Sequence, residues 1–257
     1  MSQIHPTAII DPSAQIGSDV IIGAHAIIEA DTKIGDNVSI GSNCLVGQYT
    51  ELRNKVRLFH GAIVGTVPQD LKFSGERTRL VIGEETTVRE YAMFNRGTLE
   101  SGQTVIGKNC LLMAYTHIAH DCVVGDNVIL GNGTQISGHV KIDDHAIISG
   151  LVPVHQFVHI GAHSMIGGGY RVPQDVCPYA LVGGYPIKVA GINIVGLSRR
   201  GFSKESIRTI KNTFKILFFS NLNTTQAVKK IKDDLPITDE ISTILNFIEN
   251  SERGIVK

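Results

Sequence analysis

An aliphatic residue returns at every sixth position over long stretches of this chain, and this period restricts the possible folds more than any other feature. The longest unbroken run has twelve such positions: Ile106, Leu112, Ile118, Val124, Leu130, Ile136, Ile142, Ile148, Val154, Ile160, Ile166 and Val172. Four positions after each of them stands a small or β-branched residue, with Tyr170 as the exception. A period of six is typical of parallel β-helices, in which short strands stack in coils and bury their aliphatic row against neighbouring coils. An amphipathic helix would instead repeat about every 3.6 residues.

The same period begins at Ile4 and is interrupted twice. An early run extends from Ile4 to Val64, and between it and the long run lie three more positions: Ile82, Val88 and Phe94. The gaps, residues 66–81 and 96–105, keep the phase of the repeat, so we predict two loops that leave one continuous β-helix over residues 1–193. Because three hexads form one triangular coil, the 26 aliphatic positions predict about nine to ten coils.

The corners between the strands are expected to take small residues. Glycine follows the aliphatic residue directly in several hexads, for example at Gly17 and Gly23. We expect the chain to bend there with positive φ, which glycine adopts at low steric cost. Three of the four cysteines, Cys44, Cys110 and Cys122, fall on the small corner position. This placement predicts buried corner fillers rather than disulfide partners or metal ligands.

Helical periodicity replaces the hexads over residues 194–257, which we predict to be a small C-terminal α-helical domain. Ser203 is placed as the N-cap of a helix that extends to Phe219. Asn223 followed by Gln226 suggests a capping box at the start of a second helix, and Thr238 precedes a third. We expect these helices to cap the open end of the β-helix.

Composition excludes several classes of function. Lys plus Arg and Asp plus Glu are 24 each, so net charge argues neither for nucleic acid nor for a membrane surface as partner. The first residues lack the basic and apolar segments of a signal peptide, and no apolar stretch reaches the roughly 18 residues of a membrane span. We therefore expect a cytoplasmic protein.

Two histidines and a carboxylate occur within one hexad, at His117, His120 and Asp121, and His139 follows nineteen residues after His120, nearly one coil later. A histidine oriented by a carboxylate is a plausible general base near neutral pH. Three imidazoles on one face are equally compatible with a zinc enzyme of the hexapeptide carbonic anhydrase type. A purely structural or ligand-binding solenoid is the third possibility. The other histidines considered are expected to be ordinary exposed residues on the coil faces: His5, His25, His60, His145, His159 and His163.

Several longer motifs are more specific than the hexads: Gln69-Asp70-Leu71-Lys72, His117-Ile118-Ala119-His120-Asp121-Cys122, Gly138-His139-Val140, Val154-His155-Gln156-Phe157, Asn193-Ile194 and Arg199-Arg200-Gly201-Phe202. With these motifs the chain resembles, over nearly its full length, the acyl-carrier-protein-dependent UDP-N-acetylglucosamine O-acyltransferases that begin lipid A biosynthesis. The resemblance implies an all-β left-handed parallel β-helix and a homotrimer with sites between protomers. It also implies that acyl carrier protein, UDP-N-acetylglucosamine and no further cofactor take part, the acyl donor being carried on phosphopantetheine.

The resemblance assigns a role to each matched residue. His120 would be the general base, Asp121 its orienting partner, and Gly138 the backbone donor to the thioester oxyanion. The residues implied to bind the sugar are Asp70, His139 and His155, and those implied to hold the nucleotide or the acyl carrier are Lys72, His117, Gln156, Asn193, Arg199 and Arg200.

Two further questions concern the substrates. Gly168 stands where this family sets the acyl-chain length, and a glycine there predicts a groove open to a long chain unless the bulky Tyr170 blocks it. Pro68 stands where several members have asparagine, which leaves open a 3-amine rather than a 3-hydroxyl as the acceptor. A related UDP-sugar N-acyltransferase therefore stays an alternative to the O-acyltransferase.

Overall fold

The computed structural model describes residues 2–257, and most of its secondary structure is short strand. The first fourteen strands are β1 (Gln3–Ile4), β2 (Ile9–Ile10), β3 (Gln15–Ile16), β4 (Ile21–Ile22), β5 (Ile27–Ile28), β6 (Lys33–Ile34), β7 (Ser39–Ile40), β8 (Leu45–Val46), β9 (Thr50–Leu52), β10 (Arg57–Leu58), β11 (Ile63–Thr66), β12 (Arg79–Ile82), β13 (Thr87–Val88) and β14 (Met93–Asn95). The others are β15 (Gln103–Ile106), β16 (Leu111–Leu112), β17 (His117–Ile118), β18 (Val123–Val124), β19 (Ile129–Leu130), β20 (Gln135–Ile136), β21 (Lys141–Ile142), β22 (Ile147–Ile148), β23 (Pro153–Val154), β24 (His159–Ile160), β25 (Met165–Ile166), β26 (Ala180–Gly183) and β27 (Lys188–Ile192).

Strands β1 to β25 form the three faces of a left-handed parallel β-helix. Every third strand joins the same sheet, so the first face runs β1-β4-β7 and onward to β25, where it is extended by β26 and β27. The second face runs from β2 to β23 and the third from β3 to β24. Equivalent residues of successive coils pair directly, as Ile118 does with Ile136. The predicted fold is confirmed, and the nine strands that β1 to β25 place in the first face agree with the expected number of coils.

The aliphatic row forms the core because its residues point into the prism that the three faces enclose, and only the first coil leaves its members partly exposed, Ile4 most of all. Ile106, Leu112 and Ile118 are all at most 1% exposed, and their counterparts in neighbouring coils are equally buried. The corner residue that takes positive φ is the third after the aliphatic one, for example Asp19 after Ile16. Aspartate, asparagine and histidine occupy many of these corners, and they are the non-glycine residues that tolerate this conformation best.

The expectation of positive φ at the glycines directly after the aliphatic row is wrong for Gly17 and Gly23. They are needed because the next coil approaches too closely for a side chain. A Cβ on Gly23 would lie 2.7 Å from the backbone nitrogen of Ser42, and this backbone cannot move aside as a flexible side chain could. Gly65 alone among the glycines of the early run that follow an aliphatic residue has the predicted conformation, with φ of 85°.

Two loops leave the prism without disturbing the stacking of the coils. They span residues 67–78, between β11 and β12, and residues 96–102, between β14 and β15. Both are shorter than predicted, because β12 and β15 begin earlier and pair over four residues, from Arg79 with Gln103 to Ile82 with Ile106. The division into domains at residues 193 and 194 stays a prediction.

The last coil departs from the strict hexads. Val172 pairs with Val154 as the repeat predicts, but Val176, expected as a corner filler, forms an isolated β-bridge with Ile160. Val176 follows Val172 by fewer positions than a hexad, so this coil lacks the usual corner between them. Beyond it, β26 and β27 form an antiparallel hairpin that continues the first face.

Four helices follow: α1 (Ile194–Arg199), α2 (Lys204–Phe218), α3 (Thr224–Asp234) and α4 (Asp239–Glu249). The predicted caps are confirmed: Ser203 accepts from the Ser206 N–H, Asn223 and Gln226 form a capping box, and Thr238 caps α4. Helix α1 was not predicted, since its six residues carry no amphipathic pattern. No helix within residues 2–257 has the length and apolar character needed to cross a membrane.

The helices cover the side of the last coils, where three histidines that were expected to be exposed are only half-exposed. Phe247 of α4 lies 4.5 Å from the His159 ring, and Phe202 meets His163 edge-on at 5.0 Å. His145 stacks on His163 at 4.7 Å. The exposed interpretation is therefore wrong for this group, whereas it is confirmed for three others: His5, His25 and His60. All four cysteines are buried and free, which confirms Cys44, Cys110 and Cys122 as corner fillers.

Candidate active site

His120 and Asp121 form a hydrogen-bonded pair on the corner that follows β17. Nδ1 of His120 lies 2.8 Å from Oδ2 of Asp121. The corner geometry produces the pair, because Asp121 has φ of 60° and turns its carboxylate back beside the preceding imidazole. A carboxylate only accepts hydrogen bonds, so Nδ1 of the neutral imidazole carries the proton and Nε2 has a free lone pair.

The Asp121 carboxylate receives three more hydrogen bonds from the loop of residues 96–102. Its Oδ1 accepts from the Thr98 N–H at 2.9 Å and from the Ser101 hydroxyl, and its Oδ2 accepts from the Thr98 hydroxyl at 2.7 Å. Burial by itself raises the pKa of Asp121, but the hydrogen bonds from Ser101, His120 and Thr98 outweigh burial and lower the pKa to about 2. The carboxylate is consequently charged throughout the physiological pH range.

His139 lies one coil beyond His120, as the spacing predicted. Its backbone N–H donates to the His120 carbonyl at 3.1 Å, and the two rings meet edge-on with centroids 5.0 Å apart. On its other side His139 stacks on Phe157 at 4.5 Å. Its Nε2 lies 3.6 Å from Glu100 and 3.8 Å from Asp121, so a carboxylate is close on each side of the ring edge.

Gly138 lies directly against the imidazole of His120. A Cβ at this position would be 2.8 Å from Cε1 and 2.9 Å from Nε2 of that ring. The Gly138 carbonyl accepts from Phe157, while within residues 2–257 its own N–H meets no acceptor. This N–H is therefore free to bind a ligand.

A cavity of about 770 Å³ opens in front of His120 and His139. Its walls contain Asp70 and Lys72 from the loop of residues 67–78, and Gln156 from the coil beyond His139. In that loop the Asp70 carboxylate accepts from the Lys72 N–H at 3.0 Å. The structure thus brings these three predicted site residues together with His120 and His139.

His117 and His155 lie beside the cavity without lining it. Nδ1 of His117 is 3.0 Å from the Met93 carbonyl, and burial lowers the pKa of its imidazole. Nδ1 of His155 is 3.0 Å from the carbonyl of Gln156. Both rings are held by backbone contacts next to residues that do face the cavity.

The remaining predicted residues lie towards the C-terminal end of the prism. Asn193 is buried: its side chain caps α1 and donates to the His163 carbonyl at 3.0 Å. Arg200 is half-buried and donates to the His145 carbonyl at 2.8 Å, whereas Arg199 is exposed. Gly168 is exposed on the coil that leads to β26. Within one chain these residues do not line the cavity, and their predicted roles stay predictions.

Four further residues shape the site without having been predicted. Thr98 and Ser101 bind Asp121, Glu100 approaches His139, and Phe157 stacks on His139. Phe157 occupies the corner position equivalent to His139, eighteen residues on, so the repeat itself carried that signal. The three loop residues had none, because a Gly-, Ser- and Thr-rich gap does not reveal which way its side chains point.

The prism and its histidine–aspartate pair define a hexapeptide-repeat enzyme, and comparisons with known proteins agree. The family "Bacterial transferase hexapeptide (six repeats)" matches residues 13–48 and 103–138, and "Udp N-acetylglucosamine O-acyltransferase; Domain 2" matches residues 175–256. The acyl-(acyl-carrier-protein)–UDP-N-acetylglucosamine O-acyltransferase of Chlorobaculum parvum is 57% identical over 255 residues, which cover 99% of this chain and 97% of the relative. That of Xanthomonas oryzae pv. oryzae is 46% identical, with 99% and 97% covered.

Solved structures agree equally well. The UDP-N-acetylglucosamine acyltransferase LpxA of Bacteroides fragilis superimposes with a TM-score of 0.97 at 44% identity, covering 99% of this chain and 100% of that one. LpxA of Acinetobacter baumannii gives 0.95 at 43% identity, with 99% of both chains covered. The chain therefore belongs to the family of acyl-(acyl-carrier-protein)–UDP-N-acetylglucosamine O-acyltransferases.

Proposed function

We propose that this protein transfers a 3-hydroxyacyl chain from acyl carrier protein to the glucosamine 3-hydroxyl of UDP-N-acetylglucosamine, the first step of lipid A biosynthesis. One observation carries the proposal: His120 lines the cavity, and its Nδ1 is bound to a buried, charged Asp121. Family membership supplies the reaction, and this geometry supplies the groups that can perform it.

His120 acts as the general base in this proposal. The sugar hydroxyl is a weak nucleophile, and a positioned base contributes typically 10²–10⁴-fold to such a step. As the hydroxyl oxygen attacks the thioester carbonyl carbon, its proton passes to Nε2 of His120. Asp121 stabilises the imidazolium that forms, because its charge lies 2.8 Å from Nδ1.

The Gly138 N–H is the proposed donor to the oxyanion of the tetrahedral intermediate. A fixed backbone N–H aimed at developing charge lowers the barrier without reorganising. When the intermediate collapses, the C–S bond breaks and the phosphopantetheine sulfur leaves. His120 then returns its proton to this sulfur, which restores the starting state of the enzyme.

The sugar and nucleotide are proposed to bind through the residues around the cavity. Asp70, His139 and Gln156 offer hydrogen-bond partners for sugar hydroxyls, and Lys72 offers a positive charge for a phosphate. The residues far from the cavity, Asn193 and Arg199 among them, are proposed to serve a site shared with a neighbouring protomer.

Exposed apolar residues support a homotrimer. Tyr115 and Leu151 are 62% and 71% exposed on the corner between the first and second faces, and Tyr91 stacks on Tyr115 at 5.5 Å. A contiguous exposed apolar strip of this kind is typical of a protein interface, which we propose to be that of the trimer. Sedimentation equilibrium should give three times the chain mass, and Leu151→Arg should lower that mass.

The zinc alternative also draws on residues of the same site. Donor atoms of His120, Asp121 and His139 lie within 4.8 Å of one another, which is close enough for a shared metal ion. The hydrogen bonds of Asp121 argue against a metal, because its two oxygens already accept four of them, one from His120. A metal would have to break that set, so the geometry favours the general base.

The test is an assay of purified protein with 3-hydroxyacyl carrier protein and UDP-N-acetylglucosamine, in parallel with His120→Ala. We expect His120→Ala to lose at least about a hundredfold in kcat while it keeps the wild-type melting temperature. Full activity in a folded His120→Ala protein would exclude the mechanism. Stoichiometric zinc together with inhibition by chelators would support the metal alternative, and faster transfer to a 3-amino sugar would identify an N-acyltransferase.

A further inference from the structure

We propose that Thr98 and Ser101 are positioning residues, which hold the Asp121 carboxylate in the one orientation that keeps His120 ready as a base. The inference rests on the proposed function and deepens it. Three hydrogen bonds carry it, all from the loop of residues 96–102: two from Thr98, through its N–H and its hydroxyl, and one from the Ser101 hydroxyl.

The place of the loop in the fold explains why it reaches this carboxylate. Strand β14 pairs with β17, with Phe94 opposite Ile118, so the chain that leaves β14 emerges directly beside the His120–Asp121 corner. In an uninterrupted hexapeptide solenoid a plain corner would stand there. Here the chain makes a detour of seven residues, and the hydroxyls of Thr98 and Ser101 reach Asp121 in the next coil.

Both ends of this loop are fixed by backbone contacts. Gly97 donates to the Arg79 carbonyl at 3.1 Å, and its own carbonyl accepts from the Thr78 hydroxyl at 2.5 Å. At the other end, Gly102 donates to the Thr98 carbonyl at 2.8 Å. A loop tied in this way presents its donors at set positions, which is the condition for a supporting group to orient a catalytic one.

The hydrogen-bond count of Asp121 shows what these donors accomplish. A carboxylate has about four acceptor sites, and the loop fills three of them, which leaves one for Nδ1 of His120. Rotation of the carboxylate would break all three loop bonds at once. The fourth site is therefore held towards His120, and the Nδ1–H tautomer of the imidazole is the only one that satisfies it.

The test is a double-mutant cycle. Thr98→Val and Ser101→Ala each remove a hydroxyl with little change in volume, and both are combined with Asp121→Ala. If the hydroxyls act through Asp121, the Thr98→Val, Ser101→Ala pair lowers kcat by about tenfold to a hundredfold, as expected for lost hydrogen bonds to a charged group. In the Asp121→Ala background the same pair of substitutions should change kcat by less than about twofold, since nothing remains to be positioned.

Three comparisons separate positioning from a merely structural role. Thr98→Ser keeps the hydroxyl and should recover most of the activity, and KM for the nucleotide sugar should be unchanged in all loop variants. Thr134→Val serves as the matched control, because its hydroxyl also makes one hydrogen bond, to the Ser149 carbonyl at 3.0 Å, at a corner away from Asp121. It should leave kcat unchanged.

An unchanged kcat in the Thr98→Val, Ser101→Ala protein, or an equal loss with and without Asp121, overturns the inference. Neither result touches the proposed base, which is judged by His120→Ala alone. Conversely, full activity of His120→Ala would end the proposed function whatever the loop variants do, so the two failures are distinguishable.

Discussion

The backbone N–H of His139 donates to the backbone carbonyl of His120 at 3.1 Å, although nineteen residues of sequence separate them. Coil stacking creates this proximity, because eighteen residues complete one turn of the prism and return the chain to the same corner. The site is thus assembled from equivalent corners of successive coils. A rigid frame of this kind positions catalytic groups more precisely than loops alone do.

Gly138→Ala is predicted to lower kcat by about a hundredfold, the typical cost of displacing a catalytic group by about 1 Å. The added Cβ would lie 2.8 Å from Cε1 of His120, and the hydrogen bond to Asp121 prevents this ring from swinging aside. The measurement is kcat with saturating substrates, together with a melting curve to verify folding.

Gly133→Ala is the control for that substitution. Gly133 has φ of 67°, but the equivalent corners hold Tyr115 and Leu151 with φ of 61° and 59°, so this corner accepts side chains. The added Cβ meets only the flexible end of Leu151. If Gly138→Ala kept the wild-type kcat, the His120 ring would be able to move away from the added Cβ, which contradicts the prediction.

The sequence predicted the frame of the site better than its surroundings. Burial of the aliphatic row and the meeting of His120 with His139 both follow from a period, and a period is visible in sequence. The hold of Thr98 on Asp121 depends on the path of a loop, which is set by local hydrogen bonds and has no period. The role of Gly23 was misjudged for a related reason, since close approach between coils is a property of the stacked structure and not of the local chain.

His163→Phe is predicted to make the stability of the protein less dependent on pH between about 6.5 and 4. Burial, His145 and Arg200 lower the pKa of His163 to about 4, whereas in the unfolded chain it is about 6.5. As the pH falls through this window, the unfolded state binds a proton that the folded state does not bind, so the free energy of unfolding decreases. Phenylalanine removes this proton while it keeps the ring stacked near Tyr179.

Urea unfolding at pH 7 and pH 4.5 measures that effect as the difference between the two unfolding free energies. The difference should be smaller in His163→Phe than in the wild type, and the exposed His25→Gln variant serves as the control. If the difference were the same in His163→Phe as in the wild type, His163 would take up its proton in the folded protein as readily as in the unfolded chain.

The cysteine thiols are predicted to resist modification in the folded protein. Burial raises the pKa of Cys110 to about 11 and that of Cys122 to about 12, and each Sγ also contacts a backbone carbonyl of the next coil. Because the thiolate is the reactive form, a disulfide reagent at pH 8 should label none of the four thiols in native protein and all of them in denaturant. Rapid labelling of one native thiol would show that its corner opens.

The acyl-chain preference is predicted to depend on the coil that carries Gly168 and Tyr170. A Cβ on Gly168 would lie 3.2 Å from the Gly150 carbonyl oxygen and 3.6 Å from the Ser149 side chain, so a side chain there fits only if the neighbouring backbone shifts slightly. The Tyr170 ring lies against Gly167 and Gly183, where added Cβ atoms would meet it at 3.1 and 3.2 Å. A ring in that position packs on the end of the first face.

With glycine at position 168, the groove is predicted to accept a chain of about fourteen carbons or more, since each buried methylene contributes about 0.8 kcal/mol and a blocked one contributes nothing. Gly168→Met should shift the preference towards shorter chains, as a side chain of that length obstructs several methylenes. The measurement is kcat/KM over a series of 3-hydroxyacyl carrier proteins from about ten to sixteen carbons, the span over which this gain per methylene separates the two cases. Tyr170→Ala distinguishes the two candidate stops. If the substitution leaves the chain-length preference unchanged, Gly168 remains the determinant. If the wild type prefers the shortest chain and Tyr170→Ala prefers longer ones, the tyrosine ring is the stop and the open groove is refuted.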